Sequence, residues 1–113
     1  MDISIYHNPR CSKSRQTLQL LQNNGITPKV IEYLKNAPSS SEITHIIKNL
    51  PQPAGALVRN KDAADLGIDY KNIKENDIIS LLTKHPEIME RPIVVSPKGV
   101  RIGRPPESVL EIL

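Results

Sequence analysis

One cysteine, Cys11, is all the thiol this chain of 113 residues has, and it contains no phenylalanine and no tryptophan. A single thiol closes no intrachain disulfide, so a reducing compartment, the cytoplasm, is the expected setting. Three scattered histidines beside one cysteine give no ligand spacing for a structural zinc, and no metal is expected. The aromatics are Tyr6, Tyr33 and Tyr70, which leaves Ile, Leu and Val to build the core. No apolar stretch approaches the ~20 residues of a membrane-spanning helix. No basic segment followed by an apolar one opens the chain, so no secretory signal is expected. The formal net charge is +3, without a run of five like charges. A nucleic-acid surface would be denser in cations and richer in stacking aromatics, so none is expected. Scattered arginines suit small anions better.

What is present reads as one α/β domain, with ten prolines setting rigid turns. "ISIYH" (Ile3 to His7) alternates and is β-branched, which predicts a strand. "NPRC" breaks it. From about Ser14 to Asn24, Thr17, Leu18 and Leu21 share a helical face, and Gly25 stands where a helix would be capped. "KVIEYL" (Lys29 to Leu34) is the second strand, giving a βαβ opening with a parallel pair. Ser39 and Glu42 form a capping-box pattern before Ile43, Ile46, Ile47 and Leu50. "PQPAGALVRNKDAADLGIDY" reads as irregular chain or short helices. Glu75 to His85 is a further helix. "RPIVV" and "KGVRIG" form a hairpin, and "RPPESVLEIL" closes as a helix with Val109, Ile112 and Leu113 on one face. The order is that of a thioredoxin-like mixed sheet: βαβ, a helical insertion at about 39–88, then ββα.

The stretch "YHNPRCSKSR" places Cys11 at the turn between the first strand and the first helix. That is the carboxyl end of a parallel strand, where sites form, and a helix N-terminus, where dipole and free N–H groups favour negative charge. Arg10, Lys13 and Arg15 add positive charge. All of these lower a thiol pKa and favour the thiolate. A lone cysteine is often a small buried hydrophobe, but a polar, basic loop is an unusual place for one. His7 precedes the thiol by four residues and, on the residues alone, reads rather as a strand-end residue that bonds the backbone. His45 and His85 read as surface residues. Arg59, Arg91 and Arg104 stand at turns, the last two in Arg-Pro pairs. A guanidinium suits bidentate binding of a tetrahedral oxyanion, but each arginine alone reads as a solvated charge. Their case depends on convergence upon Cys11.

The block H-N-P-x-C-x-x-S-R, then "ALVR", "KHPEIMERPIVV" and "GRPPESVLEIL", resembles the glutaredoxin-linked arsenate reductase family (the ArsC family of the thioredoxin superfamily) over nearly the whole chain. The resemblance implies a single ArsC-type domain over 1–113 and thiol-dependent reduction of arsenate to arsenite. It makes Cys11 the catalytic nucleophile and Arg59, Arg91 and Arg104 the residues that bind the oxyanion. It makes His7, Asn8, Ser14 and Arg15 supporting residues, and Pro92 a cis-proline. It implies glutathione as co-substrate, glutaredoxin as partner and no bound cofactor. Family members often carry small neutral residues where this chain has Arg10 and Lys13, and several have a longer tail than one ending at Leu113. Two other readings share the fold. One is a glutathione-dependent thiol oxidoreductase with another substrate. The other is a non-enzymatic redox-responsive regulator of RNA polymerase, against which Ser14 stands where a C-x-x-C switch needs its second cysteine.

Overall fold

Four residues, Ser4–His7, form the first strand (β1), and the turn after them delivers Cys11 to the start of a helix. The computed structural model describes residues 2–69 and 73–113. It divides into two compact units: Met1–Asn36 with Arg91–Leu113, and Ala37–Glu90.

The first unit holds a mixed four-stranded sheet. β2 (Lys29–Glu32), β3 (Ile93–Ser96) and β4 (Gly99–Ile102) join β1 in the order β2-β1-β3-β4. β1 runs parallel to β2, in a register pairing Ile5 with Val30 and His7 with Glu32. It runs antiparallel to β3, pairing Tyr6 with Ile93, and β3 turns back on β4 as a hairpin. This is the expected thioredoxin-like arrangement. The helix α1 (Ser12–Asn23) begins two residues earlier than its apolar spacing indicates, so Cys11 itself is the N-cap. Its other end closes as a Schellman motif: Gly25 N–H donates to Gln22 O and Ile26 N–H to Leu21 O, with Gly25 at φ 75°. Leu21 then packs with Ile3, Ile5, Val94, Val109 and Ile112 in an aliphatic core, and Ile26 lies against it. Each fully buried aliphatic side chain there contributes roughly 1.5–3 kcal/mol.

The closing segment is a 3₁₀ helix, Pro106–Ile112, where an α-helix was expected. The buried residues are Pro106, Val109 and Ile112, spaced by three. A three-residue repeat aligns them on one face of a 3₁₀ helix, and an α-helix would rotate them apart. Ser96 Oγ donates to Ile112 O at 2.7 Å and fixes the end of this segment to the hairpin.

The second unit is helical. α2 (Ser40–Asn49) opens with the expected capping box between Ser39 and Glu42 and buries Ile43 and Ile46. A 3₁₀ turn at Ala54–Leu57 leads to α3 (Asn60–Asp65), and α4 (Glu75–Lys84) buries Ile78 and Leu82. A second 3₁₀ turn, Pro86–Ile88, and an antiparallel bridge between Val58 and Met89 complete it. The irregular stretch read in the sequence is thus two short helical pieces, and its end at Tyr70 lies outside the described residues. Among the described residues no helix is long and apolar enough to cross a membrane.

Candidate active site

The loop before the thiol is closed by its own backbone. Cys11 N–H donates to Asn8 O at 3.0 Å, Arg10 N–H to Asn8 Oδ1 at 3.0 Å, and Arg15 Nη1 to Pro9 O at 2.9 Å. Asn8 and Arg15 therefore hold the loop's shape. Behind it, His7 Nδ1 and Ser14 Oγ share a buried hydrogen bond of 2.6 Å, and Ser14 Oγ also accepts the Asn8 N–H at 3.0 Å. Burial holds the His7 imidazole below its ordinary pKa, with Glu32 opposing that shift and Arg15 adding to it. A neutral imidazole on a fully buried serine is a brace for the turn.

Cys11 is a buried residue. Burial pushes its thiol pKa up. Three groups outweigh that. The Ser14 N–H in the first turn of α1, a hydrogen bond from Arg91, and the charges of Arg91 and Arg104 bring it below the ordinary thiol value. Cys11 makes no side-chain capping hydrogen bond of normal geometry, so the Ser14 N–H acts as a nearby dipole and not as a full cap. Arg104 is the directed contact: its Nη2 donates to Cys11 Sγ at 3.4 Å, while its Nε donates to Arg91 O at 2.7 Å. One guanidinium thus bridges the sulfur and the backbone that carries the second arginine.

That backbone is held in a specific shape. The Arg91–Pro92 and Arg104–Pro105 peptide bonds are both cis. Gly103 N–H donates to Pro92 O at 2.9 Å. A methyl group on Gly103 would lie 2.6 Å from Thr17 Oγ1 and 2.8 Å from Pro92 Cγ. Gly103 is thus the bare point at which α1, the Pro92 turn and the end of β4 close on one another. Thr17 is fully buried there, and its Oγ1 donates to Lys13 O at 2.8 Å. Sequence reading puts Thr17 on the inner face of α1 but misses its contact with Gly103, and misses Gly103 itself. The signal for Gly103 was its place in "IGRPP", between a strand and an Arg-Pro pair.

Of the residues singled out in the sequence, Cys11, His7, Asn8, Ser14, Arg15, Arg91, Pro92 and Arg104 belong to the first unit. Arg101 turns to Glu111, its Nε donating to Oε2 at 2.9 Å. Arg59 belongs to the second unit, where it is the N-cap of α3 and lies 3.6 Å from Asp62 and 3.8 Å from Glu90. Among the described residues no cluster of His, Cys, Asp and Glu could hold a metal ion.

A buried thiol with a lowered pKa, faced by two guanidinium groups at the mouth of a helix, is a nucleophile arranged to meet a small oxyanion. The sequence profile of the ArsC family matches residues 6–112. The chain belongs to the ArsC family. An arsenate reductase of Haemophilus influenzae is 41% identical over 116 residues, covering all of both chains. An uncharacterised protein of Escherichia coli, YfgD, is 43% identical over 98% of this chain and 96% of its own. The solved structure of an arsenate reductase from Vibrio cholerae superposes with a TM-score of 0.88. It is 43% identical and covers 100% of this chain and 98% of that one. The fold is therefore shared with that solved structure over the whole chain.

Proposed function

We propose that this protein is an oxidoreductase that reduces arsenate to arsenite, with Cys11 as nucleophile, glutathione as co-substrate and glutaredoxin as partner. The observation that carries the reading is the 3.4 Å contact from Arg104 Nη2 to Cys11 Sγ. It puts a cation beside an anionic nucleophile, where an anionic substrate must also come. Without that charge the two would repel.

The Cys11 thiol adds to arsenic(V) and one water leaves, giving Cys11–S–AsO(OH)2. Arg91 and Arg104 hold the oxyanion, and Arg91 favours the thiolate by a direct hydrogen bond. For Arg59 the support is the resemblance alone. Glutathione thiolate then attacks Cys11 Sγ. The S–As bond breaks with its electron pair left on arsenic, the thiol proton joins oxygen, and As(OH)3 departs. Cys11 remains as a mixed disulfide with glutathione. Glutaredoxin removes that glutathione by thiol–disulfide exchange. This chain has no second cysteine to do so, and a cycle that consumes free thiols belongs in the reducing cytoplasm. The 1–113 chain acts as one ArsC-type domain in this scheme.

The test is NADPH consumption with arsenate, glutathione, glutaredoxin and glutathione reductase, each omitted in turn. The reading predicts turnover that needs every component and vanishes in Cys11→Ser. Turnover without glutathione, or in Cys11→Ser, would overturn it. Reduction of glutathione mixed disulfides with none of arsenate would move the substrate to the general thiol-oxidoreductase reading.

A further inference from the structure

The sheet has two edges, β2 and β4, and their backbone groups differ. On β4 two carbonyls are already used: Val100 O accepts from Arg101 Nη1 at 2.8 Å, and Ile102 O accepts from the Arg104 N–H at 2.9 Å. On β2 the outer groups are open. Lys29 N–H donates to Ile3 O at 2.8 Å, so Lys29 and Ile31 turn their backbone groups to β1. Val30 and Glu32, and Pro28 before them, turn theirs away from the sheet. Pro28 has no N–H to offer. Glu32 O is occupied, accepting from the Lys35 and Asn36 N–H groups at 2.9 and 3.0 Å. Pro28 O, Val30 N–H, Val30 O and Glu32 N–H remain, and none of the four has a partner among the described residues. Pro28 is buried, and Val30 is the open centre of this edge.

These four groups read the same in both directions about Val30. Set against a second copy by a two-fold axis at Val30, they form an antiparallel pair. Each Val30 N–H donates to the other Val30 O, and each Glu32 N–H donates to the other Pro28 O. No donor or acceptor of the four is left over. The side chains match in the same register. Val94, Ile5 and Val30 stand abreast on β3, β1 and β2. Ile5 and Val94 are 0% exposed, but Val30, at the end of the row, is 45% exposed. The two-fold sets Val30 against Val30 and carries the row across. Lys29 then faces Ile31 of the second copy, so no like charges stand directly opposite. We infer that β2 pairs with β2 of a second copy of this chain, making one continuous sheet with Val30 on the axis. Four hydrogen bonds and a short apolar row are little against the cost of association, so the dimer is weak, with a Kd of about 0.1–1 mM.

The experiment is sedimentation of the full chain at rising concentration, with amide hydrogen exchange on the same samples. The mass should climb from 12.6 kDa toward twice that. Exchange at the Val30 and Glu32 N–H groups should slow as concentration rises, while Lys29 and Ile31, bonded to β1, stay unchanged. Val30→Glu sets like charges on the axis and should weaken association about tenfold. A covalent readout stands beside it in case that variant does not fold. In a Cys11→Ser background, Val30→Cys should oxidise to a disulfide-linked dimer about tenfold faster than Lys29→Cys, because only position 30 meets itself within disulfide reach. A mass of 12.6 kDa at ~1 mM, whatever other strand the edge accepts, would overturn the pairing. So would a dimer that folded Val30→Glu leaves intact, one that protects other amides instead, or Lys29→Cys linking as fast as Val30→Cys.

Discussion

Arg104 and Arg59 are the same residue type, one in contact with the thiol and one beside two carboxylates. Arg104 directs one nitrogen to the sulfur of Cys11 and another to a backbone carbonyl. Arg59 stands 3.6 Å from one carboxylate and 3.8 Å from another, both with partial solvent access. A guanidinium that donates to a sulfur favours that sulfur's thiolate form. One between two carboxylates has much of its field offset already. Counting arginines therefore says little about anion binding, and the groups that each one touches say more.

The largest effect expected from this contrast is at Arg104. Replacement by Ala removes a charge-assisted donor at the sulfur and the clamp on the Arg91 carbonyl. We expect kcat/KM for arsenate to fall by roughly 10²–10³, the range for losing one oxyanion donor. Arg91→Lys should also lose activity, since an ammonium cannot reproduce a fork. Retention of full activity in either variant would remove the arginine pair from the account.

Gly103→Ala comes next. The added methyl has no room between Thr17 and Pro92. A cost of about 1–3 kcal/mol in urea unfolding is expected, as for other overpacked sites. Because Arg104 follows Gly103, the variant should also slow Cys11 alkylation. A variant as stable as the parent would mean that the Pro92 turn yields easily.

The smallest effect is expected at Arg59. Arg59→Ala should cost less than tenfold in kcat/KM, as exposed pairs are worth about 0–1 kcal/mol. A loss equal to that of Arg104→Ala would show that its two carboxylates do not offset the Arg59 charge, and would break the comparison.

Much of this architecture is legible in local pattern. Alternation marks β1, the Ser39–Glu42 box marks the start of α2, and Gly25 marks the end of α1. The position of Cys11 at a strand-to-helix turn is legible for the same reason. Other features depend on contacts that no local pattern carries. Ser12 and Lys13 are polar, so the first turn of α1 shows no apolar period and its start was read late. Val109 and Ile112 fit either helix type until Pro106 is seen buried beside them. Strand β2 stops at Glu32, short of Leu34. The approach of Arg104 to Cys11 joins residues 93 apart in sequence, and the closeness of Gly103 to Thr17 depends on a packed sheet. The family resemblance pointed to the arginines, while the local sequence alone left each of them a surface charge.

The central claim is that Ser14, Arg91 and Arg104 together overcome the burial of Cys11 and hold it as a thiolate. The direct measurement is the rate of Cys11 alkylation against pH, in the parent and in Arg104→Ala. With a lowered folded pKa, the thiolate stabilises the fold above the unfolded pKa, and that contribution fades as pH falls through the folded one. The account predicts a midpoint clearly below the free-cysteine value of ~8.5, moving up in Arg104→Ala. A midpoint at or above that value in the parent, or one that ignores the loss of Arg104, would contradict it.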